Sequence, residues 1–342
     1  MRLPRIIFGV SALGNLYKTL PDSTKKAIVE ESVRQIDSTA VFDTSGKYGA
    51  GLALEVMGEA FSSLDISPDR VVISNKLGWK RVPLHGTETT FEPGVWIDLQ
   101  HDAQQCISYD GILDCWEQGC ELLGDYRPAL VSVHDPDVYL ATAATPANRR
   151  QKMEDIRQAY KALLELKEQG EVRGIGVGAR DWTIIRELYD EVELDWVMVA
   201  NSFTIMRHPE SLIDFITVLA KDGVGIINSA VFHGGFLTGG AFFDYRQLDE
   251  GNPEDRVIFD WRRCFYDLCD HYDVTPAIAC VQFGLSLPGI HGIALNTSNP
   301  ERVKSNVASV SAQVPTEFWQ AMRSKSLIAP DYPYVSGDGP AV

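Results

Sequence analysis

Long apolar runs, paired cysteines and an excess of positive charge are all missing from this 342-residue chain. No stretch approaches the ~20 apolar residues that a membrane-spanning helix requires, so no span is expected. The apolar run near the start, residues 6–10 after Met1-Arg2-Leu3-Pro4-Arg5, is too short for a secretory signal, and the cytoplasm is the expected location. Cys106, Cys115, Cys120, Cys264, Cys269 and Cys280 form no C-x-x-C pair and have no histidine at zinc-finger spacing, so they read as reduced thiols. A formal net charge of −16 argues against nucleic acid and anionic membrane as partners, and mildly against a polyanionic substrate. The seven histidines are scattered, and no metal-ligand set is expected. A G-x-G-x-x-G fingerprint after the first strand is also absent; Gly174-Ile175-Gly176-Val177-Gly178 lies mid-chain and reads as a strand flanked by close-packing glycines.

What is present is ordinary for a soluble enzyme: 45% hydrophobic and 23% charged residues, in a chain long enough to need neither metal nor disulfide for stability. Short β-rich runs occupy residues 5–10, 40–42, 70–74, 129–133, 174–177, 195–199, 223–227 and 292–295. Apolar residues at three- and four-residue spacing mark helices at 24–37, 51–64, 153–169, 182–190 and 209–221, with Asp181 and Pro209 as start signals and Gly170 as a stop. Eight strands alternating with helices predict a parallel (β/α)8 barrel, an α/β fold, with a doubly wound open sheet as the runner-up. One domain is expected over residues 1–342, ending in an irregular strap at 326–342. Two connections are long: residues 79–107 carry Trp79, Phe91 and Trp96, and residues 228–256 carry Phe232, His233, Phe236 and Phe242. Both leave the strand ends where barrel enzymes place their sites, and both are read as aromatic-rich lids over a small-molecule pocket. No exposed apolar seam forces a dimer, which leaves the oligomeric state open.

Four ionisable residues fall at the C-terminal ends of strands two to four or just beyond: Asp43 and Tyr48, Lys76, and His134. Taken singly, each has an ordinary structural explanation, as a turn cap, a loop aromatic, a solvated lysine or a strand-end histidine. Together they sit on neighbouring strands whose ends converge in a barrel. A free phenol has a pKa near ~10 and carries protons poorly at neutral pH. An adjacent ammonium is expected to lower that value, with Asp43 keeping Lys76 charged and fixed. Tyr48 would then exchange a proton with a carbonyl or alcohol while His134 orients the oxygen. Such a site needs a hydride source, which no side chain supplies; a nicotinamide does.

These motifs resemble the aldo-keto reductase superfamily, and within it the branch of D-threo-aldose 1-dehydrogenase and L-fucose dehydrogenase. The matching pieces are Phe42-Asp43-Thr44 with Tyr48-Gly49, Asn75-Lys76-Leu77-Gly78, Val133-His134-Asp135-Pro136-Asp137, the stretch Ala230 to Leu237, and Asn299-Pro300-Glu301-Arg302. The likeness covers roughly residues 5 to 310. It implies Tyr48 as general acid/base, tuned by Asp43 and Lys76, with His134 orienting substrate. It also implies Asn201 at the nicotinamide carboxamide, a pyrophosphate loop including Ser229, Val231, Phe232, Gly234 and Leu237, and Asn296, Arg302 and Asn306 toward the adenosine end. Trp79, Trp96, Phe232 and His233 would line the substrate pocket. The implied reaction is oxidation of a free aldose of the L-fucose, D-arabinose or L-galactose type at C1, giving a lactone.

Two departures stand out. Asn296-Thr297 replaces the pair that receives a 2′-phosphate in relatives preferring NADP, so NAD is expected over NADP. The loss of one charge-assisted contact costs about 1.5–3 kcal/mol. Gly178-Ala179 replaces a Ser-Asn pair after strand five, which removes a nicotinamide contact there. Competing readings are reduction of small aldehydes or ketones on the same site, a Schiff-base aldolase using Lys76, a metal-dependent hydrolase using His134, Asp135 and Asp137, and a non-catalytic nicotinamide-binding regulatory subunit.

Overall fold

In the structure, a computed structural model, residues 3–244 and 246–335 are described. Residues 336–342, the end of the expected strap, lie outside the described residues.

The strands are β1 (Ile6–Gly9), β2 (Ala40–Ser45), β3 (Val71–Leu77), β4 (Trp79–Pro83), β5 (His101–Gln105), β6 (Leu130–His134), β7 (Gly174–Ala179), β8 (Trp196–Ala200), β9 (Gly225–Ser229), β10 (Phe242–Phe243), β11 (Arg246–Gln247) and β12 (Gly292–Asn296). Eight of them close into a parallel barrel in the order β1-β12-β9-β8-β7-β6-β3-β2. All eight runs read from the sequence are barrel strands. The helices α1 (Asp22–Arg34), α2 (Leu52–Ser63), α3 (Tyr109–Leu123), α4 (Pro136–Ala141), α5 (Pro146–Glu168), α6 (Trp182–Tyr189), α7 (Glu210–Lys221), α8 (Pro253–His271), α9 (Pro276–Gly284), α10 (Glu301–Ser309) and α11 (Thr316–Ser324) surround it. Asp181 caps α6 by accepting from the Thr183 amide, and the chain leaves α5 through Gly170 at φ 79°, both as expected.

Alternation along each strand separates two cores. Ile7, Val41, Leu130, Trp196, Met198, Ile227 and Ala294 fill the barrel interior with Leu3, while the remaining strand residues pack outward on the helices. The same period of two carries the inner face upward from apolar to polar. Val41, Asp43 and Ser45 face Val72, Ser74 and Lys76 in register on β2 and β3. Lys76 in turn is level with Ser132 on β6, and His134 with Gly178 on β7. Apolar residues therefore floor the barrel, and ionisable ones sit at its C-terminal mouth.

The glycines of β7 are packing residues, as the sequence suggested. A Cβ on Gly176 would enter the Trp196 indole, and one on Gly178 would lie 3.0 Å from Lys76 Cδ. Trp196 is fully buried inside the barrel, and Lys76 lies across the top of it.

Both long connections are structured. Gly78, at φ 104°, turns the chain from β3 straight into an antiparallel flap of β4 and β5. The flap and its tip carry a small core of Trp79, Phe91, Val95, Trp96, Leu99 and Ala103 against Ala50. The connection after β9 contains a 3-10 turn (Phe236–Thr238) and the two-residue strands β10 and β11, and ends four residues earlier than expected because α8 already begins at Pro253. Tyr17, from the loop after β1, stacks on Phe242 at 4.1 Å between ring centroids, so two loops meet across the mouth.

Replacing Gly176 with Ala forces a methyl group into the Trp196 ring. The expected loss is about 1–3 kcal/mol, read as a lower urea midpoint at unchanged slope.

Candidate active site

The register above steps Asp43, Lys76 and His134 upward two residues at a time along the inner face of β2, β3 and β6, and the turn after β2 adds Tyr48. Lys76 Nζ lies 2.5 Å from Asp43 Oδ2 and also donates to the Thr44 carbonyl at 3.2 Å. Both side chains of the pair are almost wholly buried. The ammonium also sits 4.7 Å from the centroid of the Tyr48 ring. Tyr48 meets the imidazole of His134 edge-on at 5.7 Å and is stacked by Trp96 from the flap at 5.7 Å. The four residues read from the sequence are thus in mutual contact range.

The turn bearing Tyr48 is fixed from below. An added Cβ on Gly14 would come within 2.6 Å of the Tyr48 carbonyl carbon, so the turns after β1 and β2 touch backbone to backbone.

Ser45, which the sequence reading passed over, connects the parts. Its hydroxyl lies 2.7 Å from His134 Nδ1, donates to the Lys76 carbonyl at 3.0 Å and accepts the Lys47 amide at 3.0 Å. With its proton on the Lys76 carbonyl, Ser45 takes an N–H from Nδ1 and leaves Nε2 as an acceptor. Turned onto Nδ1, the same hydroxyl makes Nε2 a donor.

The electrostatics correct one expectation. The Tyr48 phenol is held well above its ordinary pKa, first by burial, then by Asp43 and Asp135, with Lys47 opposing and Glu92 adding to the rise. The expected lowering by Lys76 does not occur: its ammonium is neutralised by Asp43 at 2.5 Å and lies over the ring face. Burial likewise raises Asp43, against the pull of Lys76. Burial pushes His134 well below the ordinary imidazole value; Asp135 opposes, and Lys76, Lys47 and Arg180 add to the fall. The site therefore presents a protonated phenol and a neutral imidazole at neutral pH.

The other expected residues divide. Asn201 follows β8 in the left-handed region at φ 57°, and its buried Oδ1 has no hydrogen-bond partner. An orphaned amide oxygen at the barrel mouth suits a carboxamide N–H₂. Ser229 ends β9, its carbonyl accepting from the Asn201 amide at 3.2 Å. Positive φ at Ala230, His233, Gly234 and Gly235 coils the following loop tightly. Gly234 is exposed at its surface, Phe232 is half-buried, and Val231 and Leu237 point their side chains into the core, so those two can offer only backbone. Asn296 ends β12 and accepts from the Ala12 amide at 3.3 Å; Arg302 is exposed on the first turn of α10, with Asn306 one turn on. These residues lie on one side of the mouth, along β8, β9, β12 and α10, opposite the tetrad on β2, β3 and β6.

Trp96 stacks on Tyr48, and Trp79 lies beside Lys47 with a buried, unpartnered indole N–H. His233 does not line the pocket. It is fully buried, with Nε2 2.8 Å from Thr204 Oγ1, Nδ1 2.9 Å from Asp244 and its ring stacked on Phe243. Asp137, named in the hydrolase reading, accepts from the amides of Arg180 and Asp181, and Asp135 takes Lys47.

A closed parallel barrel with a lysine–aspartate pair, a tyrosine and a histidine at its C-terminal mouth defines a class of oxidoreductase scaffold. Residues 5–327 match the model of the aldo/keto reductase family, and the chain belongs to that family; it is an oxidoreductase. The family uses nicotinamide dinucleotides. The chain is 26% identical to pyridoxal 4-dehydrogenase of Microbacterium luteolum, over 94% of this chain and 93% of that one. It is 26% identical to D-threo-aldose 1-dehydrogenase of a Pseudomonas species, over 96% and 95%. Among solved structures, the fold resembles the glycerol dehydrogenase AKR11B4 from Gluconobacter oxydans, with TM-score 0.68 and 16% identity over 97% of this chain and 95% of that one. It also resembles the holo form of aldo-keto reductase AKR11C1 from Bacillus halodurans, with TM-score 0.66 and 18% identity over 94% and 91%.

Tyr48→Phe removes the proton carrier and leaves the packing; kcat is expected to fall by about 10²–10⁴-fold with little change in KM. The phenol is protonated below its raised pKa and the imidazole neutral above its lowered one. Carbonyl reduction should therefore hold a flat rate from about pH 6.5 to about pH 10, with no midpoint in that window from either group. A rate profile over that range checks the sign of both shifts.

Proposed function

We propose that the protein is an aldose 1-dehydrogenase that prefers NAD, oxidising a free sugar of the L-fucose, D-arabinose or L-galactose type at C1 to its lactone. The observation that carries this reading is the convergence of Tyr48, Lys76, Asp43 and His134 opposite the orphaned carboxamide acceptor of Asn201. A bound nicotinamide supplies or accepts the hydride. Tyr48 exchanges the proton of the C1 oxygen, and His134 Nε2 holds that oxygen in line. Lys76 and Asp43 fix the phenol from below. Asn201 orients the carboxamide, the loop from Ser229 through Phe232 and Gly234 takes the pyrophosphate, and Asn296, Arg302 and Asn306 reach toward the adenosine. The indoles of Trp79 and Trp96, with Phe232, give the sugar an apolar face. The two relatives named for an aldose and for pyridoxal both act as dehydrogenases by name, which supports the direction.

Asn296 and Thr297 place no ammonium where a 2′-phosphate would lie, which supports NAD. Six free cysteines suit a reducing compartment, and we place the protein in the cytoplasm. No helix among the described residues is long and apolar enough to cross a membrane. One observation favours a second reading. A phenol held protonated is a proton donor in the resting site, which suits reduction of small aldehydes or ketones by the same groups.

A screen of aldoses and simple aldehydes with both nicotinamide cofactors, followed by absorbance of the reduced ring, separates these readings. Sugar oxidation with kcat/KM for NAD roughly tenfold or more above NADP is the expected result. A preference for NADP overturns the cofactor assignment, and silence in every combination favours the regulatory reading.

A further inference from the structure

The mouth holds a second ion cluster that the reaction above does not use. Lys47 Nζ lies 2.7 Å from Glu92 Oε1 and 2.7 Å from Asp135 Oδ2. Its ammonium also sits 5.0 Å from the Trp79 ring. Three separate segments meet here: the turn after β2, the tip of the flap and the end of β6. The second oxygen of Glu92 accepts from Trp96 Nε1 at 2.8 Å. The second oxygen of Asp135 is different. Asp135 is only 6% exposed, yet its Oδ1 accepts no hydrogen bond among the described residues. Its near neighbour is His134 Nε2 at 3.6 Å, beyond hydrogen-bond range in either tautomer.

A carboxylate oxygen with no protein donor, open to the mouth while the rest of its residue is enclosed, is where a donor from outside can arrive. Asp135 is held for that purpose from both ends. Its backbone takes the left-handed conformation at φ 53°, and its amide donates to the Gly178 carbonyl at 3.0 Å. Against the upward push of burial, the charges of Lys47 and Arg180 keep its carboxyl well below the usual carboxylate range, so it is an anionic acceptor. The open oxygen adjoins the imidazole that Tyr48 meets edge-on, hence adjoins the position of the reacting oxygen.

The incoming donor must be neutral. A cation would meet Lys47 and Arg180, whereas a hydroxyl donates to Oδ1 and accepts from Lys47 or from Nε2–H in the same pocket. The gap between Nε2 and Oδ1 is of the same order as the spacing of two oxygens on adjacent carbons. We propose that Asp135 Oδ1, steadied by Lys47 beside His134, is a subsite for a hydroxyl on the carbon next to the reacting one. The site then takes α-hydroxy carbonyl compounds and their cyclic hemiacetals in preference to unsubstituted aldehydes. This rests on the oxidoreductase reading given above and narrows its substrate class. Lys47 acts as a positioning residue that draws Glu92 and Asp135 together and so seats the flap.

Matched substrates test it: D-arabinose against 2-deoxy-D-ribose in oxidation, and glycolaldehyde against acetaldehyde in reduction. A hydrogen bond to a charged acceptor predicts a kcat/KM ratio of about 10- to 100-fold in favour of the hydroxylated member in the unmutated enzyme. In Asp135→Asn that ratio should collapse toward unity, whatever happens to the absolute rates. Lys47→Met should lower the ratio chiefly through KM of the hydroxylated member. If Asp135→Asn does not fold, Asp135→Glu, which keeps the charge and displaces the oxygen, carries the same comparison. A ratio near one in the unmutated enzyme, or a ratio that Asp135 variants leave intact, overturns the subsite. Turnover without discrimination sinks only this inference; no turnover of any member with either cofactor sinks the dehydrogenase reading as well.

Discussion

The ion pair between Lys76 and Asp43 is the constraint around which the barrel mouth is arranged. Removing two charges from water is expensive, and their attraction compensates only when geometry is close and the remaining valences are met. Here the contact is 2.5 Å, the ammonium also donates to the Thr44 carbonyl, and Ser74 lies within 3.5 Å of the other carboxylate oxygen. Breaking such a pair by removing one partner typically costs about 3–5 kcal/mol, because the survivor is left charged and buried. Neighbouring strands have adapted to it. Gly178 clears space for the lysine stem, and the Ser45 hydroxyl donates to the carbonyl of the same lysine.

That pair also explains why the two proton-bearing groups have the character they do. Lys76 does not offset the rise, and burial followed by the carboxylates, Asp43 first and then Asp135, dominates Tyr48. The imidazole, surrounded by cations on two sides and buried, stays neutral. The mouth is thus organised as two ion clusters of different purpose flanking one neutral acid and one neutral base. The Lys76 cluster holds the phenol, and the Lys47 cluster reaches out to the flap.

Much of this was legible in the chain. The eight barrel strands are short β-rich runs with period-two polarity, and the tetrad could be located because each member ends a strand or follows one. The parts that stayed hidden depend on contacts distant in sequence. Lys47 and Ser45 lie inside the same motif as Tyr48, yet nothing local shows that one reaches Glu92 and Asp135 and the other His134. The flap reads as an irregular loop because its strands are half polar and separated by a long tip. His233 resembles a pocket residue among loop aromatics, but Thr204 and Asp244, neither adjacent to it in sequence, take both its nitrogens. The sign of the phenol shift depends on how completely Asp43 cancels Lys76, which is a matter of ångströms.

The clearance that Gly178 gives to the lysine stem limits how this enzyme can be altered. A side chain there would press on the lysine stem, its Cβ 3.0 Å from Cδ, so redesign of the ring-binding contacts from that wall has to leave the stem room to shift. The flap carries no such obligation. Its tip is held by one salt link, the indole stack, an apolar cluster against Ala50 and backbone hydrogen bonds to Asn15 and Tyr17, and changes at its exposed positions, away from those contacts, leave the lysine stem untouched.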